Sequence, residues 1–174
     1  MITLTKKATK KRASKMSART LKLREELWPE LDEALLWNRT TAKGFTTVPR
    51  TMPHMFEIID DLGGKGTPLS RAYFSLWCRV FDESLIEIKS YNELAYEAGF
   101  SGQRAVTLWK QRMARLVELG FIQAEEGTGG KYDYILLLNP YNVTKQRYSA
   151  GEIQKRKYIA LFNRAQEVGA TDLN

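Results

Sequence analysis

The sequence predicts a mainly α-helical fold with a small β-hairpin, an α+β protein of 174 residues. Apolar residues recur at three- and four-residue spacing in several stretches that are bounded by Gly, Pro or Ser, which is typical of amphipathic helices. Two short runs of β-branched and aromatic residues flank the Gly-rich segment 126–130, which predicts a hairpin. A hydrophobic fraction of 43% is sufficient for a packed core.

The positive charge of the chain is concentrated at its N-terminus. Of the 27 Lys and Arg residues, nine lie in residues 1–24, which contain no acid, so the other 150 residues hold 18 basic and 20 acidic side chains. Such a segment is typically disordered and attracts polyanions. We predict a basic, disordered arm over 1–24; a tail that only aids solubility is the alternative. The arm residues expected to contact phosphates are Lys6, Lys7, Lys10, Lys11, Arg12 and Lys15.

Several classes of protein are disfavoured. No apolar run approaches 18 residues and the basic N-terminus lacks an apolar segment of the signal-peptide kind, so we expect neither membrane insertion nor secretion. The single cysteine, Cys78, lies in an apolar stretch and is predicted to be buried. With one cysteine no disulfide can form within the chain, which fits a reducing cytoplasm.

Enzymatic chemistry is also not expected. His54 is the only histidine and has no Ser or Cys motif near it, and the chain has too few Cys and His for a four-ligand zinc site. The segment GGKGTP (63–68) fails as a phosphate-binding loop, because Ile59 stands where the first Gly is required and Gly66 follows Lys65. We therefore expect no catalysis, no cofactor, no metal and no small-molecule substrate.

Helices are predicted on both sides of a central region. Before it, helices are expected from Pro29 to Trp37, from Pro53 to Leu62 and from Leu69 to Phe81, and a short strand at 45–48. After it, Ser149 and Glu152 form a capping-box pattern that predicts a C-terminal helix. These flanking helices are the candidate surfaces for a homodimer.

The central region, residues 85–138, has a recognisable order of elements. A strand at 85–88 precedes the capping box Ser90–Glu93, whose helix ends at Gly99. Ser101 is predicted to cap a long helix over 102–119, which Gly120 ends. Two strands, starting at Phe121 and at Tyr132, then surround the Gly-rich turn.

This region resembles the winged helix-turn-helix DNA-binding superfamily. The resemblance rests on SYNELAYEAGFSGQRAV (90–106) and LVELGFIQAEEGTGGKYDYILLL (116–138). It implies a helix-turn-helix over 90–119, a wing over 121–138, a second helix in the DNA major groove, and a wing that touches the backbone or the minor groove. The expected division is the arm, a winged-helix domain over 25–140 that includes the N-terminal helices, and a helical extension over 141–174.

The period of the long helix separates a core face from an outer face. Val106, Trp109, Met113 and Leu116 cluster on one side. A seam through Ala105, Leu108, Arg112 and Leu116 is rejected, because it would place Arg112 against the core; Leu108 is left without a clear position. The predicted DNA-contacting residues are Gln103, Arg104, Thr107, Lys110, Gln111 and Arg115 on the helix, with Ser90, Tyr91, Ser101 and Lys131 nearby.

The wing departs from the pattern of a basic wing, since Glu125 and Glu126 precede its turn and only Lys131 is positive. We expect a role in packing or dimer contact as readily as insertion into a groove.

Taken together, the sequence predicts a cytoplasmic, nucleoid-associated, homodimeric protein that binds double-stranded DNA sequence-specifically. Its role would be transcription regulation, or replication or partition of a plasmid or other mobile element. A winged-helix protein-interaction adaptor and an RNA-binding protein are the alternatives.

Overall fold

A computed structural model of the chain describes the backbone of residues 6–173 and the side chains of residues 17–173. Within this range there are seven α-helices, one short 3-10 helix and three strands. The chain divides into two compact units, Met1–Phe45 and Thr46–Asn174. This division differs from the boundaries at 24/25 and 140/141 expected from the sequence.

The first unit contains helix α1, Lys6–Leu27, followed by the 3-10 helix Glu33–Leu35. Residues 6–27 contain neither Gly nor Pro and are rich in Ala, Lys, Arg and Leu, which favours a helix where the sequence analysis expected a disordered arm. The helix predicted from Pro29 is wrong: only one 3-10 turn forms there, capped by Asp32, whose Oδ1 accepts from Ala34 N at 2.9 Å. No strand forms at 45–48 in the described chain.

The predicted arm contacts cannot be placed from the structure. The side chains concerned lie outside the described ones: Lys6, Lys7, Lys10, Lys11, Arg12 and Lys15.

The second unit begins with helices α2, Met52–Gly63, and α3, Ser70–Trp77. Pro53 occupies the first turn of α2, as its missing N–H predicts. Asp60 joins the two helices, because its Oδ1 accepts from Leu69 N and Ser70 N at 2.7 Å and its Oδ2 from Ser70 Oγ at 2.8 Å. The carboxylate thus satisfies amides at the start of α3 that have no partner within the helix.

The three strands form one small antiparallel sheet. They are β1, Leu85–Glu87, β2, Ile122–Glu125, and β3, Tyr134–Leu137, in the spatial order β1-β3-β2. Leu85 pairs with Leu136 on one side of β3, and Ile122 pairs with Leu137 on the other. Between β1 and β2 the chain forms helices α4, Tyr91–Glu97, and α5, Ala105–Leu119. The element order predicted over 85–138 is therefore present.

Two further helices follow the sheet, α6, Pro140–Ser149, and α7, Lys155–Val168. The sequence analysis did not predict α6: Asn139 Oδ1 accepts from Tyr141 N at 2.9 Å, so Asn139-Pro140 starts a helix as well as ending β3. The capping box of Ser149 and Glu152 is wrong, because Ser149 ends α6 and donates its hydroxyl to Lys145 O at 2.9 Å.

The C-terminal helices bond to the rest of the second unit. Arg147 of α6 donates to Leu119 O at 3.1 Å and to Glu118 O at 2.8 Å, so its guanidinium satisfies carbonyls at the C-terminal end of α5. Lys157 of α7 pairs with Asp61 of α2 at 2.6 Å.

The core of the second unit lies between the helices and the sheet. Its largest fully buried side chains are Trp109, Tyr73, Phe121, Met52, Met55, Ile58, Ile59, Leu69, Leu76, Leu94, Met113 and Leu116. Cys78 is exposed, so its predicted burial is wrong. Since α3 ends at Trp77, Cys78 stands at the C-terminal cap of that helix. Across the described chain, no helix combines the length and the apolar character needed to cross a bilayer.

Candidate nucleic-acid interface

Helices α4 and α5 are joined by a glycine-containing turn that sets the direction of α5. Ser90 Oγ accepts from Glu93 N at 3.3 Å and caps α4, whereas the Glu93 carboxylate lies 3.6 Å from Arg79 Nη2. Gly99 adopts a φ of +86°, and the following amide, Phe100 N, donates back to Ala95 O at 2.9 Å. A positive φ just after the last helical residue favours glycine at that position, so Gly99 suits the C-terminal end of α4.

The start of α5 differs from the sequence prediction. The helix begins at Ala105, and Arg104 occupies the cap position without a side-chain hydrogen bond. The prediction that Ser101 caps a helix from residue 102 is therefore wrong. Gly102 has a φ of +77° and breaks the helical backbone after Ser101. Ser101, Gln103 and Arg104 are exposed at this N-terminal edge of α5.

The outer face of α5 is exposed and mostly polar. Trp109, Met113 and Leu116 are fully buried against the core, while Val106 is half-buried. The exposed side chains on and beside the helix are Gln103, Arg104, Thr107, Gln111, Ala114, Val117 and Glu118. The N-terminal half of this face therefore carries donors and acceptors without a carboxylate.

The rejection of the seam through Arg112 was wrong. Arg112 is only 9% exposed, its Nε donates to Pro68 O at 3.1 Å, and its guanidinium carbon lies 5.6 Å from the ring centroid of Phe100. A long aliphatic stem can pack in a core while the charged group binds a carbonyl and an aromatic face. Leu108 is half-buried, which resolves its position between the two faces.

Two of the predicted DNA contacts on α5 already have partners in the protein. Lys110 Nζ lies 4.5 Å from the ring centroid of Tyr91. Arg115 donates to Leu62 O through Nε at 3.2 Å and Nη2 at 2.8 Å, and its Nη1 lies 2.5 Å from Glu118. Among the described residues, the predicted contacts on α5 and at its N-terminal edge that have no such partner are Gln103, Arg104, Thr107 and Gln111, and these form the narrower candidate contact set.

Tyr91 connects α4 to the hairpin turn. Its hydroxyl donates to Asp133 Oδ1 at 2.6 Å and accepts from Tyr132 N at 3.2 Å, and its ring stacks on Trp109 at 5.5 Å between centroids. These bonds engage the hydroxyl; the predicted phosphate contact of Tyr91 relies on the free backbone amides at the start of α4 and stays a prediction. The hydrogen bond from Tyr91 lowers the pKa of Asp133, helped by the backbone amides of Gly129 and Gly130.

The hairpin turn is closed around Asp133. Its Oδ2 accepts from Gly129 N at 2.6 Å, and a Cβ at Gly127 would lie 2.5 Å from the same oxygen, so a side chain cannot be placed at 127 without displacing the carboxylate. Glu125, Glu126 and Lys131 are exposed on this hairpin. Lys131 Nζ lies 5.7 Å from the ring centroid of Tyr132. The turn is thus closed by hydrogen bonds to Asp133 and carries more negative than positive charge.

The sequence analysis missed two exposed cations, one beside the turn between α4 and α5 and one just before α4. Arg71 of α3 lies against the turn between α4 and α5, since a Cβ at Gly99 would come within 2.3 Å of its guanidinium. Lys89 is exposed immediately before the Ser90 cap. The period of α5 contains no information about Arg71, because only the packing of α3 on α4 brings the two together.

In the described part of the chain, no three His, Cys, Asp or Glu side chains are placed together to hold a metal ion.

Comparison with known protein families, with curated proteins and with solved structures gives no match to this chain. The surface of α5 and the distribution of charge therefore carry the functional inference.

Proposed function

We propose that this protein binds double-stranded DNA sequence-specifically, with α5 in the major groove and the basic segment 1–24 on the phosphates. The observation that carries the proposal is the exposed row Gln103, Arg104, Thr107 and Gln111 opposite the buried Trp109 and Met113. An α-helix fits the major groove, where Arg pairs with guanine O6 and N7, Gln pairs with adenine, and the Thr methyl contacts thymine.

The order of elements supports placing the chain among winged helix-turn-helix proteins. The succession β1, α4, α5, β2, β3 matches the order of elements over 85–138 on which the resemblance rests. In this proposal the protein is a homodimeric regulator of transcription, or a replication or partition factor of a plasmid or other mobile element. It acts on the DNA of the nucleoid in the cytoplasm.

The backbone contacts come from outside the hairpin. Glu125 and Glu126 disfavour insertion of the hairpin between two phosphate chains. Arg71 and Lys89, which flank the turn and the start of α4, are placed to contact phosphates beside α5. The basic segment adds a sequence-independent contribution that weakens with salt.

The test is selection of a preferred duplex from a random pool, followed by fluorescence anisotropy with that duplex and with a scrambled one. We expect Arg104→Ala to reduce the preference for the selected duplex by about 1–3 kcal/mol and to leave binding to the scrambled duplex nearly unchanged. Arg156→Ala is the matched control, because Arg156 is an exposed arginine on α7.

Two outcomes would contradict the proposal. If Arg104→Ala retained the full preference, α5 would not be the contact surface. If single-stranded DNA or RNA of equal length bound as tightly as every duplex, the protein would belong to the single-strand or RNA-binding class. Absence of binding to any nucleic acid would favour the protein-interaction adaptor.

A further inference from the structure

The first unit exposes an unusual amount of apolar surface. Of the fifteen large apolar side chains that are exposed in the described chain, seven lie within residues 17–45. Leu35 and Trp37 are 78% and 70% exposed. The seven are Leu21, Leu23, Leu27, Trp28, Leu35, Trp37 and Phe45; we call them the apolar set.

The apolar set does not cover a core. None of the side chains described in residues 17–45 is buried. The local order comes from short-range contacts, such as the edge-to-face pair of Trp37 and Phe45, with centroids 5.8 Å apart, and the ion pair of Arg24 with Glu33. A contiguous exposed apolar patch marks an interaction site, and the contact of Trp37 with Phe45 makes these two residues contiguous.

The same unit has a shape that can receive a side chain. A depression of about 630 Å³ has both polar and apolar walls, formed by Arg24, Glu33, Ala34, Leu36, Trp37, Asn38, Arg39 and Thr41. Mixed walls of this kind suit a side chain with an apolar body and a polar group, such as Trp.

Charge in this unit is divided along the chain. Residues 6–24 hold nine Lys and Arg and no acid, and residues 25–33 hold five acids and no base. Among the described side chains, Lys22 pairs with Glu26 and Arg24 with Glu33 in the same chain, which leaves Arg19, Glu25 and Glu30 for a partner. In a two-fold dimer the same surface meets itself in the opposite direction, so a basic segment followed by an acidic one is complementary to its own copy. The acidic half is unsuited to a nucleic acid, whose phosphates it would repel.

Resting on the homodimer of the proposed function, we propose that the apolar set is the contact surface for a second copy of this chain, so that two chains associate through their first units. Arg19 of each chain then faces Glu25 and Glu30 of the other, and residues 1–16 stay available to phosphates. The interface is isologous, and every side chain in it contributes twice. Trp28 and Trp37 are its central aromatic residues, the type that carries most of the binding energy in protein interfaces.

The experiment measures the mass of the full chain by sedimentation and by light scattering at micromolar concentrations, without nucleic acid. We expect twice the 20.0 kDa of one chain. The double substitution Trp28→Ser, Trp37→Ser is expected to raise the dissociation constant at least about 100-fold. Phe81→Ser is the control, because Phe81 is 82% exposed but lies in the second unit; it should leave the mass unchanged.

The charge arrangement is tested in the same assay. Glu25→Lys with Glu30→Lys should weaken the dimer about tenfold, since each reversal acts twice by symmetry, and added salt should weaken the wild-type dimer in the same direction. A dimer insensitive to both would contradict the complementary arrangement.

Three results would overturn the proposal. They are a monomeric wild-type chain at every concentration, a dimer that survives the double Trp substitution, and a monomer whose binding to oligothymidine or oligouridine depends on Trp28 and Trp37. Because the mass is measured without DNA, the failure of DNA binding would leave this test intact. Arg104→Ala, which tests the proposed function, should not change the mass.

Discussion

The Tyr91 hydroxyl donates a 2.6 Å hydrogen bond to Asp133 Oδ1 and thereby joins the first residue of α4 to the turn of the hairpin. The Tyr91 ring also stacks on Trp109 and lies under Lys110, both on α5. One tyrosine therefore contacts all three elements of the candidate interface, α4, α5 and the hairpin. It holds the hairpin turn beside α5 together with the ring contact of Tyr132 with Trp109.

We expect Tyr91→Phe to lower the free energy of unfolding by about 1 kcal/mol, because it leaves Asp133 without its hydroxyl donor while keeping the ring. Urea denaturation followed by fluorescence measures the change. Tyr73→Phe is the matched control: the Tyr73 hydroxyl is buried with no hydrogen-bond partner among the described residues, so its removal should be neutral or stabilising. Equal losses in both variants would show that the Tyr91–Asp133 bond contributes nothing specific.

Acid should loosen the hairpin turn. The hydrogen bond from Tyr91 lowers the pKa of Asp133 below its usual value of 3.8. The Asp133 carboxyl thus binds its proton less tightly in the folded state than in the unfolded state. Its contribution to the free energy of unfolding is complete above about pH 4 and is lost as pH falls through the folded-state pKa. The Gly129 amide, which donates to Asp133 at 2.6 Å, reports this by NMR.

In the wild-type chain the Gly129 amide resonance should move at a pH below 3.8. In Asp133→Asn this pH-dependent shift of the Gly129 amide should disappear. Glu97→Gln is the control: Arg79 lowers the pKa of the Glu97 carboxylate, and its removal should leave the Gly129 shift in place. A Gly129 transition that persists in Asp133→Asn would assign the titration to another group.

Arg112 should be more important for stability than its charge suggests. Arg112→Ala removes the bond to Pro68 O and the packing on Phe100, and we expect a loss of about 1–3 kcal/mol in unfolding free energy. Arg112→Lys should recover little, since an ammonium group cannot reproduce the planar contact. Gln111→Ala, at the adjacent exposed position, should stay within about 0.5 kcal/mol of wild type. Thermal or urea unfolding distinguishes the three.

Removal of the first 16 residues should weaken DNA binding without changing its sequence preference. The deletion takes away six Lys and Arg residues and leaves the apolar set in place. We expect the slope of log affinity against log salt to fall by up to about five, with equal losses for the selected and the scrambled duplex. A loss confined to the selected duplex would indicate that the segment contacts bases.

The central region was predictable from the sequence because its signals are local. The Ser90 cap, the glycines after α4 and α5, and the apolar period of α5 each depend on residues a few positions apart. Arg112 and Arg71 could not be placed in this way, since their partners, Pro68 and the turn at Gly99, lie on other elements.

The errors at the two ends have specific causes. Charge favoured disorder over 1–24, although the absence of Gly and Pro from residues 6–27 favours the helix that forms over that range. The dipeptide Asn139-Pro140 can end a strand and can also start a helix. In this structure it does both, and the local sequence alone predicts only the first.

The hydrogen bonds from Arg147 to the carbonyls of Glu118 and Leu119 tie α6 to the C-terminal end of α5, so the chain cannot be shortened to the hairpin without loss. A fragment ended after the hairpin would lose these donors at the last turn of α5, together with the link from Lys157 to Asp61. The helices after residue 139 are therefore part of the minimal folding unit. Limited proteolysis would be expected to leave them attached to the fragment that carries α5.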